Sequence, residues 1–221
     1  MLQIETQDGI CPSHVYQPEG EGPWPGVLVF MDGIGMRSSI LDIGARIAAA
    51  GYYVLVPDLF YRVEFTALDP RTAFSDPVTR ADLLGRVMPS ANAANVMRDT
   101  TAFLAHFDAQ PQLSHDGSGI TGYCMGGRLS LCVAGHFGDR IAAAASYHGG
   151  GLATDAPDSP HRAASHITAR VYVGGAIEDS SFDDAQKTRL EQALTEAGVE
   201  HTVETYQARH GWVPSDTPVH D

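Results

Sequence analysis

The sequence predicts an α/β fold, with a mostly parallel central sheet flanked by helices in three α/β/α layers. Short continuous apolar runs, typical of strands buried on both faces, alternate with segments of helical periodicity. The first two of these runs are joined by a short helical crossover, which favours parallel pairing. A length of 221 residues and a hydrophobic content of 43% fit one domain over residues 1–221.

The first third of the chain predicts a hairpin followed by a β-α-β unit. Asp8-Gly9 is a turn signal between two short alternating stretches in residues 1–17. The unit that follows comprises a buried strand at Gly26–Met31, a helix at Ser39–Ala50 ended by Gly51, and a strand at Tyr52–Val56.

Residues 59–90 are the least regular part, because Pro70, Pro77 and Pro89 interrupt any long element. Short helical pieces are expected there around Arg80–Val87. The remaining elements are helices at 91–107, from 128 onward and at 183–197, and strands leading into 121 and at 141–147, 169–173 and 199–206. Only eleven residues follow His210, so we expect no further helix to cover that end of the sheet.

Composition excludes several classes of function. A net charge of −13 argues against a nucleic-acid-binding protein, which needs a basic face. No apolar run approaches the length of a membrane span, and the N-terminus lacks the pattern of a signal peptide. Three scattered cysteines predict no disulfide framework, which favours a reducing, cytoplasmic setting. No H-E-x-x-H or C-x-x-C spacing occurs, so we expect no metal site.

Gly122-Tyr123-Cys124-Met125-Gly126-Gly127 has the pattern of a nucleophile elbow, a tight strand-to-helix turn that lifts one side chain clear of the sheet. Its glycines allow two backbone segments to pass closely. A thiolate at the start of a helix is stabilised by the helix dipole and by free backbone N–H groups. The alternative is an ordinary buried cysteine between packing glycines.

Cys124, Asp179 and His210 each follow a predicted strand. Strand-ending loops of a parallel sheet meet at one edge, so these three side chains can converge there. An imidazole can activate a thiol and later a water molecule, and a carboxylate on its other nitrogen fixes its orientation. Glu178 and Asp183 remain weaker candidates for the acid, and Asp179 could instead cap the helix that follows.

An acyl-transfer site also needs donors for the oxyanion. The backbone N–H of Met125 and that of Gly33, in the loop after the first buried parallel strand, are the candidates. Cys132 is expected in the core, on the sheet-facing side of its helix. Cys11 belongs to the N-terminal hairpin.

From about Asp8 onward, the sequence resembles the dienelactone hydrolase (carboxymethylenebutenolidase) family of the α/β-hydrolase fold. The matching segments are Gly122–Gly127, Val56-Pro57-Asp58-Leu59-Phe60 with Arg62, the Gly174–Asp179 turn and Arg209-His210-Gly211-Trp212. The resemblance implies a Cys-His-Asp triad of Cys124, His210 and Asp179, acting without a cofactor. It also implies a switching acid that contacts the resting cysteine, and Asp32 stands where the family usually has Glu.

The resemblance further implies opening of 4-carboxymethylenebut-2-en-4-olide to maleylacetate, with arginines gripping the substrate carboxylate. Arg62, Arg37, Arg80 and Arg209 are candidates by location. His148, after a strand ending on the same edge, is expected either to line the pocket or to point into solvent.

The leading hypothesis is therefore a cysteine-dependent hydrolase of a small-molecule lactone or ester, with neither nucleic acid nor membrane as partner. A thiol redox or peroxide-reactive protein, and an inactive binding member of the fold, are the alternatives. The sequence leaves open whether the protein is a monomer or a homodimer.

Overall fold

The computed structural model describes residues 1–221 and is built on an eight-stranded sheet. The strands are β1 (Leu2–Thr6), β2 (Gly9–Tyr16), β3 (Gly26–Phe30), β4 (Tyr53–Pro57), β5 (Ser118–Tyr123), β6 (Ile141–Tyr147), β7 (Arg170–Glu178) and β8 (His201–Arg209). Their order is β1-β2-β4-β3-β5-β6-β7-β8. Only the β1–β2 and β2–β4 pairs are antiparallel. The predicted mostly parallel sheet is thus confirmed.

The α-helices are α1 (Ser38–Ala49), α2 (Pro77–Asp82), α3 (Met88–Ser90), α4 (Ala93–Asp108), α5 (Met125–Phe137) and α6 (Asp184–Glu196). A π-helical turn at Leu83–Val87 joins α2 to α3, and 3₁₀ turns cover Gly138–Arg140 and Pro160–His166. Short helical pieces in the proline-containing region are therefore confirmed.

The strand and helix bounds follow the sequence signals closely. β3 and β4 are buried along their whole length, as their continuous apolar runs predict. Gly51 ends α1 with a φ of +101°, a conformation that favours glycine. The predicted end of the strand at 169–173 is wrong, because β7 and its pairing with β8 continue to Glu178.

The two faces of the sheet are covered unequally. Gly127 of α5 approaches Ser146 on one face, whereas Ile47 of α1 lies with Tyr123 and Tyr147 on the other. On the α1 side, an apolar groove of about 520 Å³ runs over β5, β6 and β7. No helix follows β8, and residues 210–221 form turns that fold back beside Trp212.

A buried ion-pair network ties the N-terminal hairpin to α4. Asp99 on α4 is fully buried, and its oxygens accept two bonds from Arg62, at 2.6 and 2.8 Å, and one from the Tyr61 hydroxyl at 2.8 Å. Arg62 also donates to Asp8 at the turn between β1 and β2, at 2.7 and 3.0 Å. Arg62 therefore has a structural function in joining three segments.

This network predicts a large loss of stability for Asp99→Ala. The substitution leaves Arg62 and Tyr61 without their buried acceptor, and breaking a buried pair in this way costs about 3 kcal/mol. Urea unfolding followed by circular dichroism measures the change in the free energy of unfolding. Asp82→Ala is the matched control, because the Asp82–Arg86 pair is exposed and should leave the unfolding midpoint unchanged. Equal effects of the two substitutions would contradict this assignment.

Candidate active site

Cys124 occupies the turn between β5 and α5 in a backbone conformation that L-residues rarely adopt. Its φ and ψ are +53° and −114°. A Cβ atom on Gly122 would overlap the carbonyl oxygen of Gly126, and one on Gly126 would overlap that of Phe30. The turn is therefore possible only with glycine at both positions. It holds the Cys124 side chain, half-buried, at the edge of the sheet.

Asp179 and His210 lie beside each other because they directly follow two neighbouring parallel strands. Glu178 on β7 pairs with Arg209 on β8. The residues that follow them, Asp179 and His210, therefore lie side by side at the end of the sheet. His210 Nδ1 lies 2.7 Å from Asp179 Oδ2, and Asp179 is buried. The other Asp179 oxygen accepts from the backbone N–H and the hydroxyl of Ser181, at 2.9 and 2.5 Å.

The two rival acids have other functions in the fold. Glu178 points outward and forms an exposed ion pair with Arg209 at 2.9 Å. Asp183 is the N-cap of α6 and accepts the backbone N–H of Gln186 at 2.9 Å. Asp179 does not cap that helix, and among these three carboxylates it is the one that bonds to His210.

The environment of His210 favours its protonated form. Burial alone would lower its pKa, but the hydrogen bond and charge of Asp179, together with those of Cys124, raise the pKa to about 10. In return, the pKa of Asp179 is lowered: burial opposes the shift, but the bonds to His210 and Ser181 outweigh it. A proton on His210 is therefore held there by its bond to Asp179.

His148 lies fully buried under this pair and is neutral. Burial, reinforced by the neighbouring His210, lowers its pKa to about 3. Its Nδ1 accepts the backbone N–H of Cys124 at 3.1 Å, so the ring proton must be on Nε2. Its ring meets that of His210 edge to face, with centroids 5.3 Å apart. His148 therefore lies in the wall of the pocket and does not point into solvent.

The loop after β3 presents a free donor to the same site. Asp32 Oδ1 accepts the N–H of Ile34 at 3.0 Å, and the Asp32 carbonyl accepts that of Gly35 at 3.3 Å. The N–H of Gly33 has no acceptor within the chain. The N–H of Met125, at the first position of α5, has no intrahelical acceptor either. Both predicted oxyanion donors are thus available.

Asp32 is buried in the wall of the pocket, where its carboxylate is held by an arginine. Arg37 donates to both Asp32 oxygens, at 2.7 and 2.8 Å, and also to Asp216 near the C-terminus, at 2.7 and 3.1 Å. No hydrogen bond joins Asp32 to Cys124. Arg62 does not line the pocket, since it is bound to Asp8 and Asp99.

A cavity of about 210 Å³ opens beside Cys124, His148 and His210. Sequence reasoning missed the apolar side chains that complete it, because they come from irregular segments at both ends of the site: Ile34, Pro70, Phe74, Pro218 and Val219. No group of three or more His, Cys, Asp or Glu side chains is arranged to hold a metal ion. None of the helices has the length and apolarity needed to cross a bilayer.

Comparisons with known proteins match the chain to one family. Residues 12–220 match the model of the dienelactone hydrolase family. A Synechocystis sp. protein assigned as a carboxymethylenebutenolidase is 26% identical over 96% of this chain and 85% of its own length. A carboxymethylenebutenolidase of Pseudomonas sp. is 30% identical over 60% of this chain and 54% of its own length. A Klebsiella pneumoniae protein assigned as a dienelactone hydrolase shares the fold, with a TM-score of 0.84, 22% identity, and coverage of 99% of this chain and 89% of that one.

The electrostatics of the site predict distinct titrations for the two histidines. We expect His210 to stay protonated to about pH 10 and His148 to show no titration between about pH 5 and 9. Both Cys124→Ala and Asp179→Asn should lower the pKa of His210, because each weakens an interaction that raises it. Nuclear magnetic resonance of the ring carbons during a pH titration measures this. A His210 pKa unchanged in both variants would contradict the described pairing.

Proposed function

The chain belongs to the dienelactone hydrolase family, and we propose that it is a cysteine-dependent hydrolase that opens a lactone or cleaves a small carboxylic ester. The observation that carries the proposal is the strained elbow at Cys124 facing a His210–Asp179 pair joined at 2.7 Å. Relatives named carboxymethylenebutenolidase support a lactone or ester as the class of substrate. We propose Cys124 as nucleophile, His210 as general base and acid, and Asp179 as the residue that orients His210.

Acylation begins when the Cys124 thiolate, whose proton resides on His210, attacks the substrate carbonyl carbon. The new carbon–sulfur bond leaves a negative charge on the carbonyl oxygen, which the N–H groups of Gly33 and Met125 stabilise. Collapse of this intermediate breaks the carbon–oxygen ester bond. His210 then gives its proton to the departing alkoxide, leaving a thioester on Cys124.

Deacylation uses the same groups with water as the nucleophile. His210 removes a proton from water, and the hydroxide attacks the thioester carbonyl. The carbon–sulfur bond breaks, the Cys124 thiolate is regenerated beside protonated His210, and the acid leaves. In a lactone, the alcohol and the acid remain in one molecule. The reaction consumes one water molecule per ester bond and balances without a cofactor.

We assign Asp32 and His148 to positioning. Asp32 accepts the Ile34 N–H while bound by Arg37, which fixes the loop that carries the Gly33 donor. His148 accepts the Cys124 N–H and so supports the strained backbone of the nucleophile. A neutral His148 adds no positive charge that would compete with protonation of His210.

The surroundings of the other two thiols support hydrolysis over thiol redox chemistry. Cys11 and Cys132 are both buried. Burial raises the pKa of Cys11 to about 12 and that of Cys132 to about 11, which suppresses their thiolates. A dithiol cycle needs an accessible resolving thiol, and neither cysteine offers one.

We predict that Cys124→Ala abolishes hydrolysis of 4-nitrophenyl acetate and of a dienelactone. Removal of the nucleophile of a catalytic triad typically lowers kcat by about 10⁴-fold or more. Asp179→Asn should lower kcat strongly as well, because it stabilises the wrong tautomer of His210. Steady-state kinetics with folded variants, checked by circular dichroism, provide the measurement.

Cys132→Ala is the matched control for the thiol, since it removes a cysteine that lies outside the pocket on α5. It should retain activity and lose only some stability. Iodoacetamide should label Cys124 alone and eliminate activity in step with labelling. Full activity of Cys124→Ala would refute the proposed mechanism.

A further inference from the structure

The cavity beside Cys124 carries no basic side chain apart from the histidines. Its walls away from the reacting groups are mostly apolar, formed by Ile34, Pro70, Phe74, Pro218 and Val219. Asp32 is its one acidic residue, and it is buried. Because His148 is neutral and His210 is paired with Asp179, neither histidine is a free cation for a substrate carboxylate.

Arg37, the arginine nearest this wall, has no donor left for a ligand. A guanidinium has five N–H groups, and Arg37 makes five hydrogen bonds: two to Asp32, two to Asp216 and one to the carbonyl of Gly35. The guanidinium side chain is 8% exposed. Two carboxylates surround this one cation, so the cluster carries a net negative charge, and Asp32 is its member that lines the pocket.

The arginines at the rim also have acidic partners. Arg71, between Pro70 and Phe74, is 77% exposed and lies 3.8 Å from Asp69. Arg209, next to His210, forms an exposed ion pair with Glu178. Neither lines the cavity. A substrate carboxylate buried in this cavity would therefore lose its hydration without meeting an arginine or lysine among the lining residues.

We propose that the site selects uncharged substrates: small esters or lactones whose acyl part is apolar, in preference to lactones that carry a carboxylate near the scissile bond. Burial against the cavity walls stabilises a bound apolar acyl group, whereas the negative Asp32–Arg37–Asp216 cluster repels a bound carboxylate. This inference rests on the proposed function of Cys124 and specifies the substrate class for that same site.

A pair of esters with one skeleton tests the selectivity. Methyl 4-nitrophenyl glutarate is neutral, and 4-nitrophenyl hydrogen glutarate differs from it by a free carboxylate. Each kcat/KM is first divided by the rate at which the same ester reacts with a free thiol, which corrects for intrinsic reactivity. We then expect the value for the neutral ester to be roughly a hundredfold higher. A ratio of one or less, with turnover that still requires Cys124, would overturn the inference and leave the proposed function intact.

Four variants identify the cause of the selectivity. Phe74→Arg places a cation at the rim and should raise kcat/KM for the carboxylate ester at least tenfold, whereas Phe74→Met should keep the wild-type ratio. Asp216→Asn removes one negative charge of the cluster and should, like Phe74→Arg, raise kcat/KM for the carboxylate ester relative to the neutral ester. Arg71→Gln should leave the ratio unchanged. A decrease in kcat/KM for the carboxylate ester alone in that variant would show that Arg71 binds the carboxylate, and it would refute the inference.

A binding measurement separates this inference from failure of the proposed chemistry. Hexan-2-one and 4-oxopentanoate are ketones of similar size that are not hydrolysed, one neutral and one anionic. We expect hexan-2-one to slow alkylation of Cys124 by iodoacetamide and 4-oxopentanoate to protect it at least tenfold less well. Equal or better protection by the anion would refute the inference whether or not the protein hydrolyses esters.

Discussion

The close crossing of β5 and α5 at Gly122 and Gly126 is the constraint on which the candidate site depends. Neither position has room for a Cβ atom, because each backbone lies against a carbonyl oxygen of another segment. This contact forces the residue between them into a positive φ and aims its side chain outward. The backbone N–H of Cys124 is held by His148 and by the carbonyl of Tyr147, so the strained turn is fixed from its β6 side as well.

The other half of the site depends on strand register. β7 and β8 are parallel neighbours that end together at Glu178 and Arg209, so Asp179 and His210 can bond without a long loop between them. Ser181 donates to Oδ1 of Asp179, which leaves Oδ2 for His210. Since both strands are integrated into the sheet, the geometry of the pair is fixed before any ligand binds.

Most of the fold and the central groups of the site could be predicted because they depend on local signals. Apolar runs define the strands, and the elbow glycines mark where backbones must approach each other. The choice among Glu178, Asp179 and Asp183 needed the structure, since one acid pairs at the surface and another caps a helix. The position of Arg62 was not predictable either, because its partners Asp8 and Asp99 lie 54 and 37 residues away in sequence.

The composition of the chain explains why a carboxylate-binding arginine cannot be inferred from position alone. With 27 acidic residues and 14 basic ones, the chain contains almost two acids for every lysine or arginine. Arg37, Arg62, Arg71 and Arg209 each have such a partner. Acids thus lie beside the arginines near the pocket, most tightly at Arg37, and a family member can keep the reacting groups while its charge pattern favours a different acyl group.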